Sequence, residues 1–455
     1  MYKRLISSVL ISCALSLGLF AQTVQSSEEK LTPPERQVHN LTIEDAVSLA
    51  IQNNNSIKQS KLQLDLLEKQ DKYSWNSVSP SLKLSGGLTD NLPGTTNQSG
   101  ATVTDNTMSY TVGASVSVNL SPSLYTSIKA AEIALESGEI SYETAVRTVE
   151  MNVRQTFYSL LNMKETIESS QLTLDSAKRT YESNLEKYNR GQLDQLTLLT
   201  SQYNYEKQVP TVESAKYNYQ SSLDSLKQVL GINLSDEVIL EGSLDDILNV
   251  KLDENLKKQN LDEIPSVKSV LQSIKSTENN LLATKFSAWG PSLSLGYSYG
   301  GGGGISPSKD YSSSANTITL NVSIPLDGYL PWSNGAMSIE TQKSNLEQYK
   351  IQLDDARTSA MISIRNSYNT IENAQNQLKT YESNLELMQK TYDMTLIAYN
   401  NGSKDLSALE TAQDNLSSAR FSLQNQKYTI INAVLNLENT LGVPFGTLSK
   451  GSDVQ

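Results

Sequence analysis

The chain predicts an α+β protein: a tandem-duplicated, long α-helical coiled-coil barrel carrying a transmembrane β-barrel that is completed by oligomerisation, with four strands per chain. Three observations predict it. A repeat at an offset of 211 residues carries one half onto the other. Within each half, apolar residues step by three and four through stretches without proline. Ahead of each such stretch, the period drops to two.

Composition narrows the function. Of 455 residues, 37 are Lys or Arg and 49 are Asp or Glu, a formal charge of -12. Such a chain lacks the cationic surplus that neutralises phosphates, so no nucleic-acid partner is expected. His39 is the only imidazole and Cys13 the only thiol. No His/Cys cluster for a metal and no nucleophile–His pair can be assembled, so no enzyme, cofactor or metal site is expected. The 22 Tyr against 5 Phe suit rings that meet water at one end.

Residues 1–21 read as a secretory signal, with Lys3 and Arg4 ahead of an apolar run from Leu5 to Phe20 and a cut after Ala21. Its removal would leave 35 cationic against 49 acidic residues, about -14. A lipoprotein signal at Leu10-Ile11-Ser12-Cys13 is the competing reading of the same residues. No later run reaches the ~18 apolar residues of a spanning helix, so any membrane entry must use strands. Residues 22–40, with Pro33, Pro34 and His39, read as a surface linker.

The first repeat is expected at 41–231. Its strand hairpin, about 81–120, pairs a short stretch at Leu82, Leu84 and Leu88 with the alternation Tyr110, Val112, Ala114, Val116, Val118 and Leu120, across a polar loop from Asn91 to Thr107. The following seam, Ile128, Leu135, Tyr142, Ala145, Val149, Val153, Phe157 and Leu160, shifts phase near Val153 as a stuttering coiled coil does. Proline is absent from Ser123 to Val209, so a helix from about Leu124 to Tyr188 would run roughly 100 Å at 1.5 Å per residue. A second helix returns from about Leu193 and stops at Gly231.

Segment 232–264 is expected to join the halves beside the rod. The second repeat, 265–443, copies the first: Ile128, Val149, Val153, Phe157 and Leu160 fall on Ile339, Ala360, Ile364, Tyr368 and Ile371, and Leu230-Gly231 falls on Leu441-Gly442. Its strand hairpin, about 292–327, pairs Leu293, Leu295, Tyr297 and Tyr299 with Ile318, Leu320, Val322 and Ile324; Gly300 to Ser314 reads as a flexible loop. Residues 444–455 form a tail. The string TYESNLE at Thr180 and again at Thr380 breaks the 211 frame and is helical low complexity.

A strand with one apolar face stands in lipid only with its backbone fully paired, which demands closure. Four strands cannot close, so three or more chains must share one barrel. Trp75, Trp289 and Trp332 flank the hairpins and suit an interfacial belt. The competing architecture, a structural coiled-coil spacer or surface adhesin capped by a small sheet, leaves the duplicated hairpin without a purpose.

The segment LTIEDAVSLAIQNNNSIK from Leu41 and the paired turns YNRGQLDQLTLL from Tyr188 and YNNGSKDLSALE from Tyr399 resemble the TolC-like outer-membrane efflux protein family over nearly the whole mature chain. The resemblance implies an outer-membrane homotrimer with a periplasmic helical part. It would serve as the exit duct of a tripartite efflux or type I secretion system, partnered by a periplasmic adaptor (membrane fusion) protein, an inner-membrane pump and outer-membrane lipid. It further implies that Gly191 and Gly402 mark the adaptor-facing periplasmic tip. The entrance departs from the family's aspartate-ring pattern, because Ala408 and Thr411 stand where acids are expected and Thr197 stands where an acid receives the Tyr hydroxyl. Tyr399 and Lys404 are retained. A gate built from Tyr188, Tyr399, Lys404 and Thr197, with Asp194, Asp405 or Glu410 as partners, is the expectation.

Overall fold

A computed structural model describes residues 38–91, 107–248, 250, 261–305 and 311–448. The expected signal at 1–21, most of the expected 22–40 linker and the end of the expected tail beyond 448 lie outside the described residues. So do the centres of both hairpin loops, 92–106 and 306–310.

In chain order the elements are β1 (Val38–Leu41), α1 (Ile43–Asn53), α2 (Asn55–Lys72), β2 (Ser81–Asn91), β3 (Thr107–Leu120), α3 (Ser123–Asn189) and α4 (Gln195–Leu230). The second half continues with β4 (Glu237–Leu240), α5 (Pro265–Trp289), β5 (Ser292–Ile305), β6 (Tyr311–Ser323), α6 (Asn334–Asn400) and α7 (Leu406–Leu441). The offset of 211 carries both ends of α3 onto those of α6 and both ends of α4 onto those of α7. No helix among the described residues is long and apolar enough to cross a membrane.

α3 and α6 each have 67 residues, about 100 Å of rod. Their burial repeats with the sequence. Val149, Val153, Phe157 and Leu160 pack with Leu223, Leu226 and Leu230 in one core. The equivalent Ala360, Ile364, Tyr368 and Ile371 pack with Val434, Leu437 and Leu441 in the other. Both return helices end on left-handed glycines, Gly231 and Gly442. Each is also crowded: an added Cβ would meet Asn53 Cβ at 2.7 Å and Pro265 Cδ at 2.9 Å, respectively. The duplication is broken inside α4 by Pro210, where α7 has Phe421. Proline there removes a backbone donor from the helix ladder.

The joining segment packs through β4, which pairs in parallel with β1, while Leu244 and Ile264 lie buried in opposite cores. Residues 38–40, expected as linker, are therefore strand. His39, expected on the surface, is half-buried with Nε2 3.3 Å from Asp236 Oδ2. Backbone pairing explains the difference, since four consecutive register partners fix the segment. The segment from Leu41 to Lys58 divides into α1 and α2 at its Asn run, because Asn54 is extended and caps α2 by accepting from Ser56 N–H.

The larger sheet has the order β2-β3-β5-β6, antiparallel throughout. One expectation fails here. Gly300 to Ile305 and Tyr311 to Ser314 are strand rather than loop, with pairing carried out to Gly304 opposite Tyr311. Glycine is needed at this close approach: a Cβ on Gly302 would sit 2.7 Å from the Tyr110 carbonyl oxygen.

Candidate functional site: the interhelical turns and the four-stranded sheet

Two regions hold the residues singled out from the sequence. At the far end of the rods, α3 turns into α4 and α6 turns into α7 by the same motif. Gly191 N–H bonds the Tyr188 carbonyl at 2.8 Å and Gln192 N–H bonds the Lys187 carbonyl at 2.8 Å. In the other half, Gly402 N–H bonds Tyr399 O at 3.0 Å and Ser403 N–H bonds Ala398 O at 2.8 Å. These reverse bonds satisfy the last carbonyls of each helix and require a left-handed residue, supplied by Gly191 at φ 71 and Gly402 at φ 73. No atom lies within 4 Å of where a Cβ would stand at either glycine. The turn backbone is thus open to solvent on its outer side.

Asp194 and Asp405 restart the chain as helix caps. Asp194 accepts from Thr197 N–H at 2.9 Å and Thr197 Oγ1 at 2.6 Å, bonds that hold its carboxyl below the usual range. Asp405 accepts from Ala408 N–H at 2.9 Å.

The two Tyr residues of the repeat are not equivalent. Tyr188 is exposed, whereas Tyr399 is buried and packs with Leu406 and Leu409. The Tyr399 hydroxyl donates to Asn184 Oδ1 at 2.7 Å, joining α6 to α3. Lys187 Nζ lies 5.1 Å from the centre of the Tyr399 ring. Asn184 is fully buried and its Nδ2 has no partner. Burial, with the Glu410 charge nearby, raises the Tyr399 phenol pKa against the lowering effect of the Asn184 bond. Glu410 accepts from Asn204 Nδ2. Burial and the neighbouring Asp414 and Asp405 charges raise its pKa.

The partners expected for Tyr399 are not the ones it meets inside one chain. Within one chain its hydroxyl is taken by Asn184, Asp194 and Asp405 serve their own helices, and Lys404 is exposed outside every ion pair among the described residues. Asn184 and Lys187 were not legible as site residues. The only signal was that the repeat places Thr395 and Ala398 at their equivalents, so the halves differ where one Tyr is buried and the other is not.

At the opposite end, the sheet's polarity is inverted relative to a soluble sheet. Register aligns Leu82, Val116, Tyr297 and Ile318 in one row, and Leu120, Leu293 and Val322 in another, on a single face. Those side chains are exposed, Leu82 at 77% and Ile318 at 77%. The opposite face carries mostly Ser, Thr, Gly and Asn, with Lys83, Ala315 and Tyr311 among them, and in β3 its Ser109, Gly113, Ser115 and Ser117 are half-buried. Apolar outside and small polar inside is the polarity of a barrel wall in lipid. Among the described residues β2 and β6 each have one unpaired edge, which hydrocarbon does not tolerate.

The tryptophans sit where helices meet this sheet. Trp75 precedes β2 and Trp332 precedes α6, both exposed at 57% and 82%. Trp289 ends α5; its Nε1–H donates to the Gly328 carbonyl at 2.8 Å and its ring stacks on Tyr329 at 6.2 Å. Among the described residues no group of His, Cys, Asp and Glu side chains is placed to hold a metal.

Comparison with known proteins agrees with this geometry. The family profile described as outer membrane efflux protein matches residues 46–232 and 258–443, one match for each repeat. The outer membrane protein TolC of Salmonella enteritidis is 21% identical over 327 residues, 67% of this chain and 63% of that protein. The chain thus matches less than two thirds of the length of such curated relatives. The outer membrane channel CmeC of Campylobacter jejuni superposes with a TM-score of 0.67, covering 90% of this chain and 87% of that one at 20% identity. The open-state MtrE outer membrane channel of Neisseria gonorrhoeae gives 0.70, with 88% and 89% covered at 16% identity. The chain belongs to the outer membrane efflux protein family, a protein of the outer membrane with its helical part in the periplasm.

Proposed function

We propose that three copies of the chain build the exit duct of a tripartite efflux or type I secretion system, passing cargo from an inner-membrane pump to the exterior. One observation carries the reading. A four-stranded sheet with exposed Leu and Ile on one face and Ser, Thr and Gly on the other, unpaired at both edges, stands on rods about 100 Å long. Three such sheets close a twelve-stranded barrel with a polar bore. A spacer or adhesin would turn the apolar face inward. The similar structures of CmeC and MtrE are of outer membrane channels, in keeping with a protein that carries out no chemical transformation.

The two open turns at Gly191 and Gly402 suit close approach by a helical hairpin of a periplasmic adaptor. The entrance gate is read at Tyr399, Tyr188, Lys404, Thr197, Asp194, Asp405 and Glu410, with Asn184 added as the residue that holds Tyr399. Tyr188 and Lys404, exposed in one chain, are free to reach a neighbouring copy. Trp75, Trp289 and Trp332 form the aromatic belt at the periplasmic edge of the bilayer.

Purified protein in mild detergent should migrate as an oligomer that dissociates on heating and should give unitary currents in planar bilayers. A solitary, non-conducting molecule would overturn the proposal. Drug susceptibility and exported protein in a deletion strain then separate the two cargo classes.

A further inference from the structure

Position 83 stands out on the polar face of the sheet. Register places Lys83 in a row with Ser115, Ser298 and Thr317. Apart from Tyr311 at the far end of β6, uncharged at neutral pH, every other register position on that face among the described residues holds Ser, Thr, Gly, Asn or Ala, so Lys83 is its only charged residue there. It is exposed, and none of the ion pairs among the described residues includes it. Asp90, the other charged residue of β2, is at an even position and lies on the opposite face, with Leu82, Leu84 and Leu88. Lys83 also stands at the helical end of its strand, two residues after β2 begins.

We infer that Lys83 forms a cationic ring at the inner mouth of the barrel that binds small anions and anionic groups of the cargo and sets the charge preference of this stretch of the duct. The inference rests on the proposed channel reading, because only closure of the barrel brings the copies of Lys83 around one axis. Twelve strands spaced about 4.8 Å apart and tilted about 40° enclose a backbone radius of about 12 Å. A Lys side chain extending about 6 Å inward leaves its ammonium within a Debye length of the axis at ~0.1 M salt. With no carboxylate on that face among the described residues to oppose it, the ring raises the local concentration of anions, as charged rings do in selective pores. The acidic surplus of the chain sits elsewhere in the sequence, so this stretch differs in sign from the protein as a whole.

The test is the reversal potential of single channels across a KCl gradient centred near 0.1 M, for the natural protein, Lys83→Gln and Lys83→Glu. The K⁺/Cl⁻ permeability ratio should rise about twofold or more in K83Q and further in K83E, with the shift fading toward 1 M salt as screening sets in. Identical reversal potentials in all three overturn the inference while leaving the channel reading intact. Absence of current in the natural protein overturns the channel reading itself. If a charge variant does not assemble, Lys83→Cys provides the second route, since Cys13 in the signal segment is the only natural thiol. Aminoethyl methanethiosulfonate added to the open channel should move its reversal potential back toward natural, and the sulfonatoethyl reagent should move it the other way. A Lys83→Cys channel that neither reagent alters overturns the proposal.

Discussion

Removing the Tyr399 hydroxyl tests the tip most directly. In the folded chain that hydroxyl is 2.7 Å from Asn184 Oδ1, Tyr399 is 9% exposed and Asn184 is 0% exposed. The Asn184 amide nitrogen already lacks a partner, so Tyr399→Phe leaves the whole amide unpaired inside a dry contact between α3 and α6. A stranded buried acceptor costs about 1–3 kcal/mol. On the proposed gate the cost falls on the closed tip alone, because hairpins that move apart expose the amide to water. The closed-to-open ratio should therefore fall roughly 5- to 150-fold. Single-channel recording reads this as a longer open time or larger mean conductance. Asn184→Leu replaces the polar group by an apolar one of similar size, so combining it with Tyr399→Phe should cost less than the two single changes summed. Unchanged currents in Tyr399→Phe, with unchanged melting temperature, would refute the clasp. Unchanged currents with a lower melting temperature would make it a structural bond only.

The glycines separate strain from crowding. Gly191→Ala should lower stability by about 1–2 kcal/mol from left-handed strain alone, whereas Gly231→Ala also drives a Cβ to within 2.7 Å of Asn53 and should lower it by a further ~1–3 kcal/mol; paired melting curves check the order. Burial raises the Glu438 pKa against the lowering effects of the Leu448 and Gly446 N–H groups and of Arg154 and Arg147. A raised carboxyl pKa favours the protonated folded form, so that stability is present at low pH and lost as pH rises from the unfolded value of about 4.5 through the folded one. Glu438→Gln should accordingly match the natural protein in acid and melt higher above that window; equal melting at neutral pH would contradict the sign. For the aromatic belt, single-tryptophan variants in bilayers of brominated lipid should show strong quenching of Trp75 and Trp332, which are the more exposed, and weaker quenching of Trp289; no quenching at any of the three would remove the belt.

The parts legible in sequence are those fixed by period and punctuation, and the parts that escaped depend on which copy of the repeat a neighbour touches. Ile364 and Val153 announce themselves as core because both sit on the 211-residue frame with an apolar face. Gly231 and Gly442 announce the helix ends because only a left-handed residue closes that turn. The Gly300–Gly304 run failed as a prediction since glycine has low intrinsic strand preference, while the close approach to Tyr110 that demands glycine is visible only once β3 lies beside β5. Asn184 is the sharper case. Nothing in YESNLEKYN distinguishes a solvated Asn from one sealed beneath a Tyr 215 positions away. Its repeat equivalent is Thr395, so a Tyr188 of another copy, meeting that position across a subunit contact, would face a different and shorter partner. Quasi-equivalent halves thus offer two kinds of contact at one tip. The contact closed within a chain holds through Asn184, and the contact between chains is left for Tyr188 and Lys404, both exposed here. On the proposed duct, opening that parts a chain's own hairpins breaks the Asn184 bond, whereas opening between copies leaves it intact, so the Tyr399→Phe currents tell the two routes apart.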